Sequence, residues 1–304
     1  MASFTIDLCE VQPTQLVVSL KKHRELSRRF ETNGVLIGEP LPVKRIGNDI
    51  FFTDGHTRAL LLWQNGIRSI EVVHDTDDLD WIMYLRCMQW CRDAGIRTIA
   101  DLENRMVDEP AFTEQWIHRC ETYRKQLKRN PVADVIIECI DDRDLKSQIC
   151  SEILNSLPKW FGIEAAIRHY VEKVRDLGFV AVRLYGKFIG FCAIKINYTI
   201  NADLYVLSIF EAFHGKGIGK LMMDFIERYC RNLKIPYMTV KTLSDAHPDE
   251  NYRRTRKFYE SCGFRAFEEF PELWGADNPC LYMIKEVRSG RRTQFERGCH
   301  GIGT

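Results

Sequence analysis

The chain has 304 residues, 45% hydrophobic and 28% charged, the balance of a soluble globular protein with room for two domains. No apolar run approaches the roughly 20 residues of a membrane helix, and MASFTIDLCEVQ lacks the charged and apolar regions of a secretory leader, so a cytoplasmic protein is expected. Lys and Arg total 43 against 42 Asp and Glu, which argues against general nucleic-acid binding, because neutralising phosphates demands a basic excess.

The 11 cysteines are scattered singly through apolar segments, and no CxxC pair occurs. Cys87 and Cys91 lie four apart on an expected helix. The pattern predicts reduced, buried thiols, with no zinc site and no disulfide framework.

In chain order, Val17–Ser19 reads as strand or loop and Lys21–Phe30 as a helix. Leu41–Ile46 and Ile50–Thr53 read as strands joined through Gly47-Asn48-Asp49, a hairpin. Asp54-Gly55 breaks the second strand, and His56–Asn65 is a helix ended by Gly66. Ile70–Val73 returns as a strand, and the pattern is helical from Leu79 to about Lys128. A basic stretch from Tyr123 ends in Asn130-Pro131; proline disfavours helix at the preceding residue, so a linker is expected there.

The second half opens with a strand at Val135–Cys139, then a helix over Asp142–Leu154, a loop Leu157–Gly162 and an amphipathic helix Ile163–Leu177. Phe179–Tyr185 and Phe188–Ile196 read as strands joined by Gly186-Lys187. Leu204–Phe210 is a further strand, followed by a glycine-rich loop and a helix over Lys220–Arg231. Tyr237–Leu243 is a strand, Tyr252–Cys262 a helix and Leu281–Lys285 a last strand. The tail from Arg288, rich in Gly and Arg, reads as disordered.

The loop is His214-Gly215-Lys216-Gly217-Ile218-Gly219. Successive N–H groups at a helix N-terminus form an anion site, and glycines let a ligand approach the backbone closely. Downstream, Thr255-Arg256-Lys257-Phe258-Tyr259-Glu260-Ser261-Cys262-Gly263-Phe264 closes a helix on a glycine suited to left-handed backbone.

These two segments resemble the GNAT N-acetyltransferase superfamily, whose loop reads Q/R-x-x-G-x-G/A and whose later helix reads A-x-x-x-Y-x-x-x-G-F. His214 stands in place of Arg or Gln, Thr255 in place of Ala, and Tyr252 where Asn is frequent. The resemblance covers about residues 132–287. It implies an α/β (α+β) fold with a mixed sheet flanked by helices, and acetyl-CoA as cosubstrate. By resemblance, Ile209 and Phe210 offer backbone groups to the pantetheine arm, while His214 through Lys220 hold the pyrophosphate. Tyr259 matches the general acid that protonates the departing thiolate, a task within reach of a phenol of pKa near ~10. The acetyl group would pass by direct attack of a primary amine in a ternary complex.

No general base is evident. Val206 and Ser208 stand where relatives carry a glutamate, and Asp203, Glu211, His247, Asp249 and Glu250 read as solvated or capping residues, so proton removal through ordered water is equally consistent. Trp160 and Phe161 either line an acceptor pocket or staple two helices together. The acceptor, a small-molecule or peptide amine, does not follow from the sequence, and neither does the oligomeric state.

In the first half, Asp54-Gly55-His56-Thr57-Arg58 lies at a strand-to-helix junction, with N–H groups and a guanidinium suited to phosphate. With the Pro42-Val43 strand and the Gly66-Ile67 turn it resembles the ParB/sulfiredoxin-like fold, over about residues 10–75. Sulfiredoxin chemistry needs a cysteine where His56 stands. The helix-turn-helix of ParB proteins is not evident around Ile99-Ala100-Asp101-Leu102, and the carboxylate of the related serine kinases cannot be placed. A nucleotide at Asp54–Arg58 is the expectation. The domains are then 1–78 (ParB/sulfiredoxin-like), 79–130 (helical extension and linker), 131–287 (acetyltransferase) and the 288–304 tail. The competing readings are a nucleotide- or DNA-binding protein, or a small-molecule kinase, with a degenerate acetyltransferase domain.

Overall fold

A computed structural model describes residues 3–33 and 40–287, so the tail from Arg288 lies outside the described residues. The chain divides into two compact units, Met1–Asp134 and Val135–Thr304.

In the first unit the elements are β1 (Ser3–Asp7), β2 (Val18–Ser19), α1 (Leu20–Asn33), β3 (Leu41–Ile46), β4 (Asp49–Phe52), α2 (His56–Gln64) and β5 (Ser69–His74). After these come α3 (Trp81–Asp93), β6 (Met106–Val107), α4 (Glu109–Phe112), a π-helical turn Thr113–His118, and α5 (Arg119–Arg129). Four strands form one sheet in the order β1-β5-β3-β4, with β3 and β5 parallel and the other pairs antiparallel. Alternation sets the faces: Val43, Phe52 and Val72 are buried on the sheet, and Leu60 of α2 packs against them. Cys91, Ile96, Ile99 and Leu102 belong to the same buried cluster, so the segment after residue 79 closes the core of the first sheet. Its helical pattern is interrupted by Gly95 at φ 76° and by β6, which pairs in parallel with β2.

The second unit runs β7 (Val135–Cys139), α6 (Arg143–Asn155), α7 (Glu164–Lys173), β8 (Gly178–Leu184), β9 (Lys187–Asn197) and β10 (Asn201–Ile209). It continues α8 (Ile218–Asn232), β11 (Tyr237–Leu243), α9 (Glu250–Ser261), β12 (Arg265–Phe270) and β13 (Cys280–Glu286). Seven strands order as β12-β13-β11-β10-β9-β8-β7, parallel only between β10 and β11. The β8–β9 turn is centred on Tyr185 (φ 49°) and Gly186 (φ 78°), one residue earlier than expected; two left-handed residues match the twist of the flanking strands. Edge strand β12 was not expected from the sequence, because Arg265–Glu269 are all exposed and carry no buried alternation.

Among the described residues no helix is long and apolar enough to cross a membrane, and no cluster of His, Cys, Asp and Glu could hold a metal. The ten described cysteines are all free thiols, most of them buried.

Candidate active site

The glycine loop sits where the sheet comes apart. β10 and β11 pair only over Asn201–Leu204 with Tyr237–Val240, and beyond that register neither strand is bonded to the other. A bulge in the β9–β10 ladder between Leu204 and Val206 coincides with the parting, as expected of a feature that bends a strand and raises its twist. The Phe210 N–H donates to the Ile189 carbonyl at 2.9 Å. Its neighbour Ile209 therefore turns its own N–H and C=O away from β9, toward the gap.

The chain next makes a short 3-10 turn at Glu211–Phe213 and enters the loop. Gly215 (φ 70°) and Gly217 (φ 82°) are left-handed, with nothing within 4 Å of where a Cβ would stand, so backbone conformation is what requires glycine there. Gly219 answers a different need: a Cβ would lie 2.9 Å from the Phe258 ring, so its absence brings α8 against α9. From Gly215 to Lys220 no backbone N–H donates a hydrogen bond among the described residues. These donors cluster at the positive end of α8, an arrangement suited to an anion.

Two side chains of the loop have partners within the fold. His214 Nε2 lies 2.8 Å from the Ile209 carbonyl, which can only accept, so that nitrogen carries the proton. Lys220 pairs with Asp224 at 2.8 Å, one turn along α8, and this bond raises its pKa. Ile218, between these two side chains, is buried.

Tyr259, on α9, is 5% exposed, and among the described residues its hydroxyl has no hydrogen-bond partner. Burial, followed by nearby Cys192 and Tyr252, pushes the phenol far above its usual pKa, so it stays protonated at neutral pH. The Y-x-x-x-G-F pattern has a local cause. Gly263 (φ 90°) ends α9 with N–H bonds from Gly263 to Glu260 O (2.9 Å) and from Phe264 to Tyr259 O (3.1 Å). The Phe264 ring then meets Tyr259 edge-on, centroids 5.7 Å apart, and fixes its ring.

The α6–α7 connection is tied to this loop and to α9. Lys159 Nζ meets Glu211 Oε1 at 2.7 Å, the Trp160 ring stands edge-on to His214 at 5.3 Å, and the Tyr252 hydroxyl donates to Trp160 O at 2.9 Å. Phe161 meets Tyr170 (α7) at 6.1 Å, and Tyr170 meets Tyr205 (β10) at 5.6 Å. Nothing local in the sequence marks Tyr170 and Tyr205 as partners, since they lie on different elements. The residues weighed as a base all have partners. Asp203 is buried and pairs with Lys241 (2.9 Å) and Thr239 (3.3 Å); Glu211 pairs with Lys159, and Glu250 with Arg253 (2.6 Å). Asp249 caps α9 through Asn251 and Tyr252 N–H, and donates its own N–H to His247 Nδ1 at 3.2 Å.

Residues 147–264 match the family model described as the acetyltransferase (GNAT) family. The second unit carries a GNAT acetyltransferase domain. It is accordingly an acyltransferase domain using acetyl-CoA. Solved structures similar to this domain include a GNAT-family protein from Desulfovibrio desulfuricans at 15% identity, covering 51% of this chain and 99% of its own, with a TM-score of 0.45. An aminoglycoside 6'-N-acetyltransferase complexed with coenzyme A is 17% identical, over 52% of this chain and 99% of that one, TM-score 0.41. The aminoglycoside 6'-N-acetyltransferase from Enterococcus faecium is 16% identical, over 52% and 99%, TM-score 0.40. No curated protein matches the chain.

In the first unit, Gly55 (φ 81°) is the N-cap of α2, and a Cβ there would stand 2.6 Å from Leu41 Cδ2 and 3.5 Å from Arg58 Nη2. His56 turns inward: it is 4% exposed, and its Nε2 accepts from the Thr14 N–H at 2.9 Å. Burial lowers its pKa to about 4, so the ring is neutral. Gly55 and Thr57 are buried as well, which leaves exposed Asp54 and partly exposed Arg58 at the surface.

Proposed function

We propose that the second unit transfers an acetyl group from acetyl-CoA to a primary amine by direct attack in a ternary complex. The observation that carries this reading is the parting of β10 and β11 beyond Leu204 and Val240, beside a run of free N–H groups from Gly215 to Lys220. The pantetheine arm would lie along Ile209 and Phe210. There the Ile209 N–H faces the gap, while the Ile209 carbonyl already accepts from His214 and the Phe210 carbonyl from Phe213 N–H. The pyrophosphate would sit on the His214–Lys220 backbone.

The amine nitrogen attacks the thioester carbonyl, the tetrahedral intermediate collapses, and the C–S bond breaks with its electron pair on sulfur. Tyr259 donates its proton to that sulfur. The burial that raises the phenol's pKa also raises the proton affinity of a thiolate beside it, so the transfer is matched within the site. The amine's proton leaves through water, consistent with the partners already held by Asp203, Glu211 and Glu250.

Titration calorimetry of acetyl-CoA against the protein and its Gly217→Glu variant tests the assignment. Wild type binds and the variant does not, because a carboxylate would occupy the anion site on a backbone already strained for any side chain. Absence of binding by wild type would leave the degenerate-domain reading; binding retained by the variant would place the pyrophosphate elsewhere.

For the first unit we infer that the ParB/sulfiredoxin-like reading of Asp54–Arg58 amounts to an anion site for a nucleotide phosphate, made by the His56, Thr57 and Arg58 N–H groups and the Arg58 guanidinium. The supporting observation is Gly55 at φ 81°, capping α2 beside Arg58. Titration with ATP should give saturable binding that Arg58→Ala weakens at least about tenfold, the scale of a charge-assisted bond. No heat with wild type overturns it.

A further inference from the structure

The acceptor amine is the open half of the reaction, and the gap beside β10 has an aromatic wall. Tyr205 stands at the bulge where β10 leaves β11, and Tyr170 meets it edge-on at 5.6 Å and 73°. Phe161 meets Tyr170 in turn at 6.1 Å and 89°, and the Tyr252 hydroxyl holds the Trp160 carbonyl at 2.9 Å. Phe161, Tyr170 and Tyr205 are each only partly buried, although they come from a loop, a helix and an interior strand. Among the described residues, no hydrogen bond holds the Tyr170 and Tyr205 hydroxyls, and neither oxygen is sealed from the surface. Three partly exposed rings in edge-to-face contact, with two accessible hydroxyls, make an aromatic surface rather than a closed core.

Charge at this wall is cancelled. Asp203, which lies near Tyr205, pairs with Lys241 at 2.9 Å, and Glu211 pairs with Lys159 at 2.7 Å. Burial raises both Tyr170 and Tyr205 above the usual phenol pKa, so neither supplies a negative charge at neutral pH. A polycation finds no anionic counterpart on these rings. A flat apolar group gains contact with Phe161, Tyr170 and Tyr205, while its amino group meets phenol oxygens and ring faces on its way to the thioester.

We propose that Phe161, Tyr170 and Tyr205 form the acceptor subsite, and that it takes a primary amine carried on an aromatic group, with Tyr170 and Tyr205 as specificity-determining residues. The proposal rests on the acetyltransferase reading above and deepens it.

The test uses the full chain with saturating acetyl-CoA, following coenzyme A release by chromatography with four amines. These are 2-phenylethylamine, hexylamine, spermidine and a lysine-containing peptide. The expected result is kcat/KM for 2-phenylethylamine at least about tenfold above each of the others, the discrimination that a shaped apolar pocket provides. Tyr170→Ala should raise the KM for 2-phenylethylamine about tenfold and erase its advantage over hexylamine, while Tyr170→Phe, which keeps the ring, preserves that advantage. Acetyl-CoA affinity, measured on each variant by calorimetry, should match wild type and reports that the variant is folded. Should Tyr170→Ala fail to fold, the wild-type amine comparison decides alone. Preference for spermidine or the peptide, parity between hexylamine and 2-phenylethylamine, or an unchanged KM in folded Tyr170→Ala overturns the subsite while leaving the acetyltransferase reading intact. Failure of the wild type to bind acetyl-CoA overturns both.

Discussion

Tyr259 shows how one residue can be specified by its surroundings. It is buried, its ring is held by Phe264, and among the described residues no hydrogen bond holds its hydroxyl. Tyr259→Phe removes the proposed proton donor and keeps the ring that Phe264 packs against. It should lower kcat roughly 100-fold, leave acetyl-CoA affinity nearly unchanged, and leave the protein at least as stable. Steady-state kinetics with calorimetry separates these effects, and unchanged kcat would remove the acid role. His56 makes the opposite case, a titratable ring kept in the core by an internal bond to Thr14. Its pKa is about 4 in the fold against 6.5 when exposed, so above pH 6.5 both states are neutral and the ring carries no penalty. Between pH 6.5 and 4 the unfolded chain takes up a proton that the folded one refuses. The stability of the first unit should therefore fall across that window, by on the order of 3 kcal/mol at its acidic end. Urea titrations from pH 7.5 to 4.5 check this; His56→Gln, which cannot titrate, should lose that share of the decline, and an identical decline in both proteins would refute it.

At the level of elements, α9 connects local sequence to the site. Asp249 accepts from Asn251 and Tyr252 N–H at its start, and Gly263 at φ 90° closes its end with bonds to Glu260 and Tyr259 carbonyls. Gly263→Ala forces a side chain into left-handed backbone and should cost roughly 1–2 kcal/mol, read as a lower urea midpoint at unchanged m-value. It should also lower kcat, because the Phe264 contact that fixes Tyr259 depends on that turn. A stability loss with no change in kcat would detach the cap from the chemistry. Elements of this kind were legible in the sequence because their causes are local. Strands β7 and β11 match the expected Val135–Cys139 and Tyr237–Leu243, and α9 falls two residues earlier at its start than expected. The parting of β10 from β11 was not legible, since Leu204–Phe210 reads as one unbroken apolar strand and the bulge appears only against β9. Nor was the meeting of Phe161, Tyr170 and Tyr205, which come from a loop, α7 and β10 and touch through their rings. The His214 bond to Ile209 was hidden in the same way: its residue type suggested a phosphate ligand, while the fold gives it a backbone partner.

The whole molecule divides along its sheets. All seven strands of the larger sheet come from Val135–Glu286, and the four-stranded sheet with its β2–β6 companion comes entirely from residues before Asp134. Each unit also has its own apolar interior: Leu8, Val43, Phe52, Ile99 and Leu102 in the first, Phe179, Phe191, Phe213, Ile226 and Met283 in the second. A unit that borrows no strand and completes its own core has what independent folding requires. The elements proposed to hold and use the cofactor, from Ile209 to Lys220 and Tyr259, all lie in the second. A fragment of residues 132–287 should therefore unfold cooperatively and bind acetyl-CoA within about threefold of the full chain, a difference under 1 kcal/mol. Calorimetry on the fragment, with circular dichroism to establish its folding, measures both. A folded fragment that fails to bind would mean that the second unit does not hold the cofactor by itself, and an unfolded one that its seven strands are not self-sufficient.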